Sequence, residues 1–143
     1  MPLKPFNVLL GSNVSYRSGT FLQANQNPYT FQKGFALLEK YGLSWDLRVP
    51  SWHLVEAADV ARQFPRVPIM LNHTGFPWDR SEEGLAAWRR GMEAVARQPN
   101  VHVKVSSVPL YSSEPYPYRN LHDPLRRLIG AFGPERSFWG TDI

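Results

Sequence analysis

Short apolar runs alternate along this chain with longer segments in which apolar residues recur every three or four positions. The first pattern predicts strands, and the second predicts helices buried along one face. Strands are expected at Phe6 to Leu10, Leu43 to Val49, Val67 to His73, Val101 to Ser106 and Ser137 to Thr141. A helix over Phe31 to Tyr41 would bury Phe31, Phe35 and Leu38, with Thr30 as its N-cap and Gly42 as its stop. His53 to Phe64 repeats the pattern with Leu54, Ala57, Ala58 and Ala61. Glu82 to Gln98 does so with Leu85, Trp88, Met92 and Val95, behind Ser81 as a cap. Leu121 to Phe132 makes a fourth helix, closed by Gly133-Pro134. Two polar loops interrupt this rhythm, one Asn-rich from Ser12 to Thr30, the other rich in Pro, Ser and Tyr from Val108 to Asn120.

The resulting order is β-α-β-α-β-α-β-α-β, which argues for parallel βαβ units in one α/β domain. About five parallel strands alternating with four helices suit an open doubly wound sheet or part of a (β/α)8 TIM-type barrel. A glycine-rich G-x-G-x-x-G phosphate loop is absent, which weakens a nucleotide-binding reading. Fully buried parallel strands usually read as unbroken apolar runs. Here they are two-faced. Leu43, Trp45, Leu47 and Val49 oppose Ser44, Asp46 and Arg48; Val101, Val103 and Val105 oppose His102, Lys104 and Ser106. The apolar faces suit helix packing and the polar faces suit a barrel interior. Asp46 and Lys104, on next-but-one strands, are then expected to form an interior ion pair; the alternative is an edge strand whose polar face meets water.

Composition narrows the function classes. No apolar run approaches the roughly 18–20 residues of a membrane span, and the start lacks the apolar stretch of a secretory signal. There is no cysteine, so disulfides and thiolate metal sites are excluded. A cytoplasmic location fits. The net charge of +4 and pI near 9.6 come from basic residues spread singly or in pairs. With no Lys/Arg run, a solvated basic face explains them better than a nucleic-acid partner.

Two polar residues stand where barrel enzymes do chemistry. His73 ends the third strand in Leu-Asn-His-Thr-Gly and Asp142 ends the fifth in Trp-Gly-Thr-Asp. The carboxyl ends of alternate strands bring such groups to one face. A histidine and an aspartate there suit carbonyl polarisation, water activation or metal ligation. Singly, each has a structural reading too, as a hydrogen-bonded histidine or a helix cap.

Four segments carry a resemblance: 33–49 (KGFALLEKYGLSWDLRV), 61–77 (ARQFPRVPIMLNHTGFP), 98–107 (QPNVHVKVSS) and 132–143 (FGPERSFWGTDI). In this order they resemble the amidohydrolase-related family, a branch of the amidohydrolase superfamily that includes lactonases. The resemblance implies a TIM-like barrel with a hydrolytic site at its carboxyl end. It places His73 on the histidine of a DH-x-G-x-P motif, although Asn72 replaces the usual acidic neighbour. It places Asp142 on the aspartate that deprotonates or positions the attacking water, and Lys104 on the lysine of a K-x-S strand. His53, in Trp-His-Leu, sits where relatives carry His or Gln and is a candidate substrate contact. The family's first-strand His-x-His pair is missing, so the chain reads as a domain incomplete at both ends, lacking the first strands and the closing helix. Some relatives use a divalent ion, zinc or manganese, and others none; if a metal serves here, His73 and Asp142 are its expected ligands.

The expected activity of the parent is hydrolysis of a lactone or related cyclic ester or amide. His73 would polarise the carbonyl and Asp142 would activate water. Tyr111, Tyr116, Tyr118 and Trp78 would shape the pocket, with Arg80 or Arg119 gripping a carboxylate-bearing small-molecule substrate. Metal-dependent non-oxidative decarboxylation is the enzymatic alternative. A catalytically inactive scaffold is the other, since half a barrel exposes strand edges that invite homo-oligomers. The isolated fragment is expected to be inactive or nearly so. A serine nucleophile at Ser106 or Ser107 is disfavoured, because no G-x-S-x-G turn is present.

Overall fold

A computed structural model describes Asn7–Val8 and residues 28–141. The remainder of the first expected strand, the Asn-rich loop up to residue 27, and Asp142 lie outside the described residues. The strands are β1 (Asn7–Val8), β2 (Ser44–Leu47), β3 (Ile69–Leu71), β4 (Val101–Val105) and β5 (Ser137–Trp139). Between them run α1 (Pro28–Tyr41), α2 (Leu54–Gln63), α3 (Glu82–Ala96) and α4 (His122–Phe132). The strands form one parallel sheet in the order β1-β2-β3-β4-β5. Each strand pairs with its neighbour in sequence, without the order reversal of a doubly wound sheet. That is the winding of a (β/α) barrel.

Trp45, Leu47, Ile69, Leu71, Val101, Val103 and Val105 are buried on the face that the helices cover. From α1, Phe35 packs edge-on against Trp45 at 4.8 Å and tilts against Phe64 at 4.7 Å. The helix α1 begins two residues before the expected cap. Proline is well suited to a first helical turn because it has no amide hydrogen to leave unpaired, so Thr30 lies inside the helix. Ser81 does cap α3, its hydroxyl accepting from the Gly84 amide at 3.0 Å. Helices α2 and α3 pack closely where Leu54 lies over Gly91, whose missing Cβ leaves room for the leucine.

Side-chain clamps on backbone carbonyls knit the amino end of the sheet. Asn100 Nδ2 lies 3.0–3.1 Å from the carbonyls of Ala61, Phe64 and Val67. Arg136 donates to Ala96, Gln98 and Val101 at 2.9–3.1 Å. Most of these carbonyls lie at helix ends and in the loops that follow, where regular backbone pairing stops.

The opposite face carries Ser44, Asp46, Met70, His102, Lys104 and Phe138, as the two-faced strands predict. The expected Asp46–Lys104 ion pair does not form. Register is the reason: Asp46 lines up with Met70 and then with His102, while Lys104 stands one step further along, beside Phe138. Asp46 is buried, and its Oδ1 has no hydrogen-bond partner among the described residues.

His102 faces the Phe138 ring at 5.8 Å. Burial, and then the Arg136 guanidinium, hold its pKa below the ordinary value of 6.5. The unfolded chain binds a proton there that the fold resists, so this contribution to stability is present above pH 6.5 and is lost as pH falls toward the folded pKa. Thermal unfolding followed by circular dichroism should therefore show a midpoint that drops on acidification below that value. His102→Phe should flatten this part of the decline.

Gly91 tests the helix packing. A Cβ at this position would meet Leu54 Cβ at 2.5 Å, whereas one at Gly130 would meet nothing within 4 Å. In urea denaturation, Gly91→Ala should destabilise by about 1–3 kcal/mol. Gly130→Ala, in the exposed part of α4, should stabilise by roughly 0.5–1 kcal/mol.

Candidate active site

At the carboxyl end of β3 the chain turns abruptly. His73, Thr74, Gly75 and Phe76 follow one another with φ of 51°, 53°, 72° and 46°. Left-handed backbone costs a residue with a Cβ on the order of 1–2 kcal/mol, so the surrounding contacts must hold this turn. They do so from three sides. Trp88 Nε1, on α3, donates to the Thr74 carbonyl at 2.9 Å. Thr74 Oγ1 donates back to the His73 carbonyl at 2.7 Å. Gly75 sits where any side chain would strike Met92 Sδ at 2.7 Å. The expected strand thus ends at Leu71, and His73 stands on the turn beyond it.

The turn delivers the His73 ring to the end of β4. Nδ1 lies 2.8 Å from Ser106 Oγ and 2.9 Å from Ser107 Oγ. Consecutive residues of a strand point to opposite faces, so both hydroxyls reach one nitrogen only because the backbone changes hand at Ser107 (φ 56°, ψ 17°). Ser106 is 1% exposed and Ser107 6%. Both hydroxyls thus meet the histidine ring from buried positions.

Aromatic residues wall the other side. Phe76 meets the His73 ring edge-on at 4.8 Å, Trp78 stacks on Phe76 at 5.9 Å, and the Arg48 guanidinium lies 5.2 Å from the Phe76 centroid. Arg48 and Phe76 were not expected at the site. Their nearest signal was position, since both follow strand ends. The serines were visible as the K-x-S-S strand end, but their convergence on His73 was not.

The remaining candidates are dispersed. His53 is buried on the one-turn helix Ser51–His53 after β2, with Nδ1 3.5 Å from Glu56 Oε2. Lys104 runs its stem beside Gly140, two residues before Asp142 in the chain. Arg80 donates to the Leu110 carbonyl at 2.6 Å, tying the loop after β3 to the loop after β4. Tyr111 is half-buried at the end of the turn Val108–Tyr111, and Arg119 is exposed on the turn Arg119–Leu121. Tyr116 and Tyr118 pack edge-on at 5.9 Å. Of the predicted pair, His73 is placed at the carboxyl end of the sheet, and Asp142 lies outside the described residues.

No group of three or more His, Cys, Asp or Glu among the described residues could hold a metal ion. His73 brings one imidazole, and its Nδ1 is engaged by two hydroxyls. These residues do not by themselves make the zinc or manganese site that the resemblance implies. Among the described residues, no helix is long and apolar enough to cross a membrane.

Comparison with known proteins agrees with the winding. The protein y4mH of Sinorhizobium fredii is 32% identical over 79% of this chain and 37% of its own length. An L-fucono-1,5-lactonase of Burkholderia ambifaria is 33% identical over 71% of this chain and 35% of its own. The chain thus spans little more than a third of either relative. An amidohydrolase of Burkholderia multivorans, crystallised with HEPES, superposes with a TM-score of 0.68 at 26% identity, covering 78% of this chain and 42% of that one. A zinc-bound crystal form of an amidohydrolase from that organism superposes equally well (TM-score 0.68) at 24% identity, over the same shares of both chains. The family model described as Amidohydrolase matches residues 8–143, and the chain belongs to that family.

Proposed function

We propose that this chain supplies the His73 and Asp142 side of a site that hydrolyses a lactone or a related cyclic ester or amide. The observation that carries the reading is the strained turn presenting His73 at the carboxyl end of β3, with Nδ1 held by Ser106 and Ser107. Non-glycine residues in left-handed backbone concentrate at functional sites, and barrel chemistry takes place at this end of the strands. The likeness to an L-fucono-1,5-lactonase supports a sugar lactone as the substrate class.

Water attacks the ring carbonyl carbon, and charge builds on the carbonyl oxygen. His73 donates a hydrogen bond to that oxygen, where stabilisation matters most. Asp142 takes the proton from the attacking water. As the ring carbon–oxygen bond breaks, Asp142 returns that proton to the leaving alkoxide, giving a hydroxy acid. Trp78, exposed and stacked on the buried Phe76, offers a flat face to a sugar ring. Arg119, exposed on the loop after β4, is the candidate grip for a substrate carboxylate. No step runs through a metal, although a related barrel holds zinc.

The test is proton release from sugar 1,5-lactones in a pH-stat, using the whole enzyme that carries this segment. Ring opening without carbon dioxide release is expected. His73→Gln should lower kcat/KM by roughly 10²–10³-fold, the usual loss for an oxyanion donor. Carbon dioxide release, or full turnover by the His73→Gln variant, would overturn the reading.

A further inference from the structure

We propose that Ser106 fixes the tautomer of His73: its hydroxyl donates to Nδ1, so the neutral ring carries its proton on Nε2. The argument is one of hydrogen-bond satisfaction. A serine hydroxyl has one proton to donate and two lone pairs to accept with. Ser106 is 1% exposed, and among the described residues its hydroxyl has a single partner, His73 Nδ1 at 2.8 Å. If Nδ1 carried the proton, Ser106 would have to accept it. Its own O–H would then be buried with nothing to receive it, and a buried unmet donor is expensive. If Nδ1 is bare, Ser106 donates to it and only lone pairs remain unused.

Ser107 divides the task differently. Nδ1 has one in-plane lone pair and can take one well-aligned donor. Ser107 lies 2.9 Å from the same nitrogen and has a further interaction besides. Ser106, whose hydroxyl has no other partner among the described residues, has the stronger claim on that lone pair. Ser107 holds the ring edge from the second side and fixes its rotation. Ser106 and Ser107 are thus positioning residues, and the left-handed backbone at Ser107 is the device that lets both converge.

The consequence rests on the hydrolytic reading above. A ring protonated on Nε2 is a hydrogen-bond donor from that atom, the form that a carbonyl oxygen gaining charge requires. It is not a lone-pair ligand through Nε2. A metal-binding histidine usually turns its other N–H toward a carboxylate or carbonyl acceptor, whereas here the other nitrogen meets a donor.

Long-range 1H–15N correlation spectra of the histidine-labelled 143-residue protein, taken at a pH where imidazoles are neutral, read the tautomer directly. The His73 signals are identified by their loss in His73→Gln. Expected is a pyridine-type nitrogen at Nδ1 and a pyrrole-type nitrogen at Nε2. Since the Nε2–H form is also the commoner one in free histidine, the response to substitution is decisive. Ser106→Ala should lower the Nε2–H to Nδ1–H ratio by about tenfold, the scale of one buried unmet donor. Ser106→Thr, which keeps the hydroxyl, should leave the ratio unchanged. A pyrrole-type Nδ1 in the unmodified protein overturns the proposal, as does an equal ratio in Ser106→Ala. Should Ser106→Ala fail to fold, Ser106→Cys, a weaker donor, should give an intermediate ratio, and an unshifted one overturns the proposal. The measurement uses no substrate, so the lactonase reading and the tautomer assignment stand or fall separately.

Discussion

Parallel pairing of β3 with β4 is the constraint on which the carboxyl end depends. Leu71 lies beside Val103, so the residues leaving the two strands are brought together: His73 two positions beyond Leu71, Ser106 three beyond Val103. Neither strand can slip without moving its apolar side chains off the helix-covered face. Leu71, Val101 and Val103 are almost wholly buried there. The hydrophobic register thereby fixes the distance between an imidazole and two hydroxyls that take no part in the core.

The two ends of the sheet are built differently. At the amino end, Asn100 and Arg136 each tie together three backbone carbonyls from helix ends and the loops beside them. At the carboxyl end, four residues with a Cβ (His73, Thr74, Phe76 and Ser107) are held in left-handed backbone by contacts from α3 and from each other. The first end supplies rigidity. The second spends part of it on geometry that a relaxed chain would not adopt. Met92, Leu54 and Trp88 connect them, since the helices that cover the core also press against Gly75.

Much of this was legible in the sequence. The βα alternation, the helix faces and the Ser81 cap follow from periodicity and capping chemistry, and the two-faced strands foretold a polar interior. Winding was open between a barrel and a doubly wound sheet, because local pattern does not encode strand order. The Asp46–Lys104 pair failed on register, a non-local quantity that no single strand reveals. The meeting of Ser106 and Ser107 on His73 was hidden for a related reason. Alternation along a strand assigns consecutive residues to opposite faces, and only a change of backbone hand at a serine, for which the sequence offers no glycine signal, reverses that. The placement of His73 at the carboxyl end of β3 was legible, because the apolar run that makes the strand stops just before it.

The functional account needs the imidazole of residue 73 and the carboxylate of residue 142 to open into one cavity. A crystal structure of the whole enzyme with a bound lactone analogue measures this directly. The account predicts the analogue's carbonyl oxygen within hydrogen-bond distance of His73 Nε2, with the Asp142 carboxylate on the opposite side of the carbonyl carbon. An analogue bound elsewhere, or the two side chains on opposite faces of the sheet, would contradict it.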